Sequence, residues 1–373
     1  MKFVTSKLEK LIVLFDSKRV PLSSRERANK KGKYPYYGAT GILDYVDDFL
    51  FDGKYILLGE DGTVQTENGK PILQLVEGKF WVSNHAHIIK NSPLIDFDFL
   101  YYLLLNTTIT SIVTGAVQPK ISQGNLCNLE VTYPESLNDQ KKIASILKSI
   151  DEKILNNNNI NNNLDEQIIL IFKNKIAECE NASGWLETSL DKVANYLNGL
   201  AMQKYPMIEG KEWVPVLKIA ELKKGKCDTT SDRCNTNFDK KYLIQNGDVI
   251  FSWSASLVVD IWCGGLAGLN QHLFKVTSEK FDRWFYYCWT KYHLDSFIRE
   301  ASSKATTMGH ITRDRLSLAK VLVPDDSTYK EIGGIISPMI EKIIANRLEN
   351  QTLEKIRDEI LPKLMDGSLE VKK

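Results

Sequence analysis

Between residues 139 and 175, apolar side chains recur at alternating gaps of four and three: Ile143, Leu147, Ile150, Ile154, Leu164, Ile168 and Ile171. Asn157 and Asn161 fill the two remaining places in the series. This spacing predicts a helix with one narrow apolar stripe, the seam of a coiled coil. About 36 helical residues extend roughly 54 Å at 1.5 Å each, and a stripe that long needs a partner. The same chain supplies one between residues 329 and 361. There Ile332, Ile336, Met339, Ile343, Leu353 and Ile360 repeat the apolar places, and Asn346 and Asn350 repeat the asparagines. A polar Asn in a seam costs stability but fixes register and orientation, so the four asparagines are expected to face one another. Arg357 stands where Ile168 stands in the first series. Pro338 and the adjacent Gly333 and Gly334 predict a kink or restart early in the second helix.

Outside these helices the pattern changes to short β-branched and aromatic runs broken by Gly, Asn and Pro, with one helical stretch per half. The order of segments repeats. A strand-like run near Gly-Glu-Asp (55–64) matches one at 247–256. Asn84-His85-Ala86-His87 matches Asn270-Gln271-His272. The aromatic helices are FLYYLLL (99–105) and WFYYCWT (284–290), followed by polar Gly-containing loops at 114–126 and 302–316. Strands ending in proline close each half at 129–134 and 319–324. So many segments in one shared order indicate a tandem duplication, with each copy an α+β unit. The predicted domains are 1–138, a long helix at 139–177, 178–327, and a C-terminal helix and tail at 328–373. For the chain to return, the two helices must pack antiparallel, with the units expected at opposite ends of a rod.

At 373 residues there is room for two or more domains, and 43% hydrophobic with 25% charged residues is ordinary for a globular chain. A net charge of +1 means that any nucleic-acid surface must come from local clustering. The start, MKFVTSKLEKLIVLF, lacks the pattern of a signal peptide, and no apolar run is long enough to span a membrane. The cysteines (Cys127, Cys179, Cys227, Cys234, Cys263, Cys288) form no CxxC pair. Cys227 and Cys234 lack histidines at zinc-site spacing, so a reduced, cytoplasmic protein with structural thiols and no metal is expected.

No catalytic constellation is present. A GxxxxGK[ST] phosphate loop, an HExxH pair, an FxGxG cofactor loop and an Asn/Asp-Pro-Pro-aromatic tetrapeptide are all missing, so neither an enzyme nor a cofactor is expected. What recurs is binding chemistry. Amide, hydroxyl and cationic groups interleave in the two polar loops: Gln118, Lys120 and Ser122 in the first, and Lys304, Thr306, Thr307, His310, Thr312 and Arg313 in the second. Such groups contact phosphates and base edges. His85 and His87, two apart, are expected to point the same way from a strand, as a structural pair or beside a phosphate or base; His272 is their counterpart. A basic-aromatic run holds Lys31, Lys33, Tyr36 and Tyr37, and the segment 218–226, with Lys223, Lys224 and Lys226, is its expected counterpart. Charge runs are usually solvated faces, but recurrence in both halves favours DNA.

These features together resemble the specificity (S) subunits of type I restriction–modification systems. The resemblance is carried by QKKIASILKSIDEKI, by ISPMIEKIIANRLENQTLEKIRDEILPKLMDGSLEV, by KYPYYGATGI and by the loop–helix–loop order of both halves, and it covers essentially the whole chain. It implies a non-catalytic subunit with two target-recognition domains, each reading one half of a split double-stranded DNA site, held apart by two long helices. It also implies two modification (methyltransferase) subunits as partners, with restriction subunits joining that core. The alternatives are a specificity subunit of another restriction class (type IIB-like), a fused methyltransferase or nuclease, and a coiled-coil adaptor with no DNA role. S-adenosylmethionine binding by the chain alone would favour the enzyme, and salt-dependent DNA binding would exclude the adaptor.

Overall fold

Each of the two stretches preceding a long helix builds the same pair of four-stranded sheets. The computed structural model describes residues 1–115, 117–179, 185–303 and 311–371. In the first stretch an antiparallel sheet has the order Ile12–Leu14, Ala86–Asn91, Tyr55–Gly59, Leu73–Val76. A second sheet runs Ile42–Val46, Lys31–Tyr37, Lys79–Val82, Phe51–Asp52, with one parallel pairing in which Tyr36 faces Trp81. In the second stretch the antiparallel order is Asn195–Asn198, Leu273–Thr277, Val249–Ser252, Val258–Ile261. The mixed sheet is Arg233–Asn235, Trp213–Leu217, Ala267–Leu269, Leu243–Ile244, again with one parallel pairing, Val216 to Gly268. A two-stranded ribbon closes each stretch: Phe3–Lys7 against Glu130–Pro134, and Leu186–Ser189 against Lys320–Val323. The expected α+β duplication is therefore present strand for strand.

One expected correspondence is corrected. The counterpart of the basic-aromatic strand Lys31–Tyr37 is Trp213–Leu217, because both supply the parallel pairing of their sheet. The segment read as its match forms a separate helix, Ile219–Lys224, ended by Gly225 at φ +74°. The true match shares a proline ahead of the parallel residues, Pro35-Tyr36-Tyr37 against Pro215-Val216-Leu217. Lysine density is a surface property and does not track strand order.

The long helices are Leu137–Cys179 (43 residues) and Asp326–Met365 (40 residues). Two compact units result, Met1–Ile154 with Leu353–Lys373, and Leu155–Thr352, so each helix contributes to both. In the first unit Ile143 and Leu147 of one helix and Leu361 and Leu364 of the other join the core around Ile56, Ile89, Phe99 and Leu103. Arg357, out of place in an apolar seam, donates to Asp151 across the helix pair at 2.9 Å, and Tyr102 Oη of the short helix Phe97–Asn106 donates to the same carboxylate at 2.7 Å. In the second unit Tyr287 Oη and Lys291 Nζ, from the helix Arg283–Ser303, clamp Asp165 at 2.7 and 2.5 Å.

Within the second unit Asn157 Nδ2 donates to Asn350 Oδ1 at 2.8 Å, and Asn346 Nδ2 donates to Asn161 Oδ1 at 2.9 Å. As residue number rises by four on one helix it falls by four on the other, so the segments run antiparallel. All four asparagines are at most 7% exposed, whereas Ile150, Ile154, Leu164, Met339 and Leu353 are half-buried. Past Ile168 the alternation is overtaken. Phe172 and Ile176 are buried and Ile171 only partly so. There the helix meets the aromatic side chains of Arg283–Ser303 as well as its long partner, and the wider face selects a spacing of four.

The expected restart at Pro338 does not occur; the helix is continuous from Asp326 to Met365. Burial of Ile332, Ile336 and Ile340, each at most 1% exposed, holds the segment where propensity would not. Gly333 has a packing role, since a Cβ there would lie 2.7 Å from Trp284 Nε1, whereas at Gly334 nothing lies within 4 Å. Alanine in place of glycine gains roughly 1 kcal/mol of helix propensity, and overpacking costs roughly 1–3 kcal/mol. Gly334→Ala is therefore expected to raise the melting temperature and Gly333→Ala to lower it, as thermal unfolding of the two variants will show.

Candidate nucleic-acid interface

Three of the paired sequence features converge in each unit. In the first, the strand Tyr55–Gly59 runs out into Glu60 and Asp61, the turn before Ala86–Asn91 carries His85, and the polar loop 114–123 lies over both. Backbone bonds fix this. Glu60 N–H donates to His85 O at 2.9 Å, Ile121 N–H to Glu60 O at 2.8 Å, and Gly62 N–H to Pro119 O at 3.0 Å. The second unit repeats the first two: Trp253 N–H donates to His272 O at 3.4 Å, and Ile311 N–H to Trp253 O at 3.0 Å. The side chains follow. His85 Nδ1 sits 2.7 Å from Asp61 Oδ1, and His272 Nδ1 sits 3.1 Å from Ser254 Oγ. Both histidines are exposed, each on a turn held by a strand end and a loop.

The candidates sort by exposure. Gln118 and Lys120 are exposed on the first loop beside Val117, and Lys120 Nζ lies 3.3 Å from Glu60. Ser122 is half-buried and caps the helix Gln123–Asn128, accepting from Asn125 N–H at 3.1 Å, so its hydroxyl is already engaged in the fold. Thr312 and Arg313 are exposed at the end of the second loop; Lys304, Thr306, Thr307 and His310 lie outside the described residues. Lys31 and Lys33 are exposed, with Lys31 Nζ 2.5 Å from Asp44, and Tyr37 is half-buried. Lys223, Lys224 and Lys226 are exposed on and after the helix Ile219–Lys224, and Lys224 pairs with Asp228.

Two candidates are corrected. Tyr36 is 1% exposed, and its hydroxyl accepts from Leu22 N–H at 2.9 Å. His87 is fully buried. It does not share a direction with His85, because His85 belongs to the turn and strand alternation begins only at Ala86. His87 instead holds the site from below. Its Nδ1 faces Asp16 Oδ2 at 2.6 Å and its Nε2 faces Ile121 O at 2.9 Å.

Around it is a buried charge cluster that no local motif announces. Asp16 also accepts from Ile88 N–H at 2.8 Å and Gln123 Nε2 at 2.6 Å. Arg19 Nη1 donates to Glu60 Oε2 at 2.5 Å, to Ala86 O at 2.9 Å and to Asn84 O at 3.3 Å. Asp16, Glu60 and His87 bring ligand-type atoms within 4.8 Å of one another, but donors already serve them, and the Arg19 guanidinium pairs with Glu60 at 2.5 Å and with Asp16 at 3.7 Å. Burial by itself would raise the pKa of both acids, yet each is held below its ordinary value. For Asp16 the hydrogen bonds from His87 and Ile88 and the charges of His87 and Arg19 prevail; for Glu60 it is Arg19, His87 and Lys120.

The linkage has a definite sign. Depressed carboxylate values mean that this cluster stabilises the first unit fully above the ordinary values of 3.8 and 4.5, and that the contribution disappears as pH falls through the lower folded values. Hydrogen exchange of residues 114–123 is therefore expected to accelerate on acidification below about pH 4 before residues 311–318 respond. Elsewhere, burial pushes the Cys227 thiol up to about 12 and Cys234 up to about 11, which keeps both protonated and poor as ligands at neutral pH.

The two-fold arrangement has a family counterpart. The type I restriction modification DNA specificity domain matches twice, at residues 2–166 and 182–357. The chain belongs to this family. One stretch of the chain is similar to a putative type I restriction enzyme specificity subunit, S.HindORF215P, of Haemophilus influenzae. That protein is 31% identical over 143 residues, 38% of this chain and 36% of the relative, so the match spans little more than a third of it. The MjaIX specificity subunit of Methanocaldococcus jannaschii is 26% identical over 303 residues, 74% of this chain and 69% of that protein. Among solved structures, the S subunit of a type I restriction–modification system from M. genitalium superposes with a TM-score of 0.60 at 18% identity, covering 98% of this chain and 96% of that one. That likeness shows a shared fold. Among the described residues, no helix is long and apolar enough to cross a membrane.

Proposed function

We propose that this chain is the non-catalytic DNA sequence-specificity subunit of a type I restriction–modification complex of the cytoplasm. The recognition domains, taken as 1–138 and 178–327, each read one half of a bipartite double-stranded site. The long helices, 139–177 and 328–373, set the unread gap and dock two modification subunits, through which restriction subunits join. The observation that carries this reading is the repeated framework. One set of backbone bonds presents an exposed histidine turn beside a polar loop in both units, while the side chains on it differ: Asp61, Gln118 and Lys120 in one, Ser254, Thr312 and Arg313 in the other. A shared scaffold with divergent polar tips suits two readers of unlike half-sites. With a net charge of only +1, the chain offers DNA no overall positive field by itself.

Co-expression with two modification subunits should therefore yield a complex that methylates one bipartite sequence, with affinity roughly a thousandfold or more above that of the chain alone, within the span that separates specific from non-specific binding. Methylation mapping and titration of a duplex carrying the mapped site measure this. Equal affinity and specificity with and without the partners would sink the reading.

A further inference from the structure

The same backbone framework is supported from beneath by different chemistry in the two units. His87 and Phe274 occupy matching places, each two residues beyond the exposed histidine of its turn, and Glu60 matches Trp253 at the strand end. In the first unit the support is ionic: Asp16, His87 and Gln123 tie the loop down, and Arg19 ties Glu60 to the carbonyls on either side of His85. In the second unit it is aromatic. The Trp253 and Phe274 rings lie 5.9 Å apart, Tyr196 meets Phe274 edge-on at 5.9 Å, and the Arg313 guanidinium sits 5.8 Å over the Phe274 ring. Trp253 Nε1 donates to Asn198 at 2.9 Å, and Arg313 Nη2 donates to Tyr196 O at 3.4 Å. The Arg19 side chain is 14% exposed and Phe274 is 4% exposed, so both are held within the fold.

Resting on the DNA-reading role proposed above, we infer that Arg19 and Phe274 are positioning residues. Each fixes one histidine turn against its loop, without touching DNA, and so sets the accuracy with which one half-site is read. Arg19 suits this task because its Nη1 reaches Glu60 at the strand end and Asn84 and Ala86 around the turn, while its Nε donates to Asp16 O at 3.1 Å; a point ammonium could take the place of Nη1 but would lose the second anchor that fixes the plane of the group. Phe274 suits it because its ring is the floor on which Arg313 of the second loop rests, a cation–π contact in a partly dry setting.

The test uses the full chain in complex with its modification subunits and duplexes carrying the mapped site, or that site with one base changed in either half. Discrimination is the ratio of methylation rates between the intact and altered duplexes. Arg19→Met is expected to lower discrimination in the first unit's half-site by roughly ten- to hundredfold, the effect of a displacement of about 1 Å in a positioned group, with the other half unchanged. Arg19→Lys, which retains a cation for Glu60, is expected to recover part of that loss. Phe274→Leu should lower discrimination in the opposite half by roughly tenfold. Should Arg19→Met fail to assemble, Arg19→Lys and Phe274→Leu carry the test, each predicted to affect a single and different half. Variants that leave both halves as sharp as the parent, or blunt both alike, overturn the inference. A parent complex with no discrimination at either half would instead overturn the DNA-reading role itself.

Discussion

Exchanging the first recognition domain for that of another specificity subunit is expected to replace one half of the methylated sequence completely and leave the other half intact. Each unit has its own core, its own pair of sheets and its own turn-and-loop framework, and the bonds that hold each framework are internal to its unit. The structure also dictates how the exchange must be cut. A junction at residue 138 would leave Ile143, Ala144 and Leu147, with Leu361, Leu364 and Met365, to pack against a foreign core. Mismatched core positions of that kind cost roughly 2–5 kcal/mol each where a large side chain loses its neighbours, against a total stability of roughly 5–15 kcal/mol for a domain. A chimera that carries these six positions with the incoming domain should assemble and methylate; one cut at 138 should be poorly soluble. Sequencing of methylated adenines in a host carrying the chimeric complex decides the matter. A change in both half-sequences would mean that the two units do not read independently.

The second large effect concerns the helices as a spacer. A four-residue insertion after Asn159 adds about 6 Å of helix, close to two base pairs at about 3.4 Å each. Made in one helix alone, it pushes Asn157 and Asn161 a further turn apart while Asn346 and Asn350 keep their distance, so both interhelical bonds cannot survive. Leaving one buried amide unpaired costs roughly 1–3 kcal/mol. A matched insertion, after Asn159 and again between Arg347 and Leu348, preserves both pairs. The matched variant is expected to methylate the same two half-sequences with one or two more unread bases between them. The single insertion should melt lower and either bulge out its extra turn or lose activity. Methylation mapping and thermal unfolding of both variants check this, and an unchanged gap with full activity in the matched variant would show that the helices do not set it.

Much of the arrangement is legible in the sequence, for identifiable reasons. The long helices declare themselves because a seam with one partner forces a fixed period, and the Asn pairs because a polar residue in such a seam must meet another. The duplication is visible because strand ends, the histidine turn and the closing proline recur in one order. Where several elements converge, the same logic failed. Ile168 gives way to Phe172 and Ile176 once a third helix covers the face. Pro338 is carried through because three isoleucines around it are buried. His87 looked equivalent to His85, yet the turn ends between them, and one is exposed while the other is sealed.

By itself, then, the sequence determined the two long antiparallel helices, the repeated α+β unit and the neighbourhood of the candidate interface, since each rests on periodicity or on short segments in order. Only the tertiary structure decided which residues hold that interface in place. Arg19 meets partners at 60, 84 and 86, and Asp16 meets partners at 87, 88 and 123. No local pattern marks such residues, because a hydrogen bond between distant segments requires only that the folded backbone bring donor and acceptor to about 3 Å. The same freedom let one unit support its loop with charge and the other with tilted and edge-on aromatic rings. The backbone demanded that the space beneath the loop be filled and its polar groups satisfied, and two unlike sets of side chains met that demand.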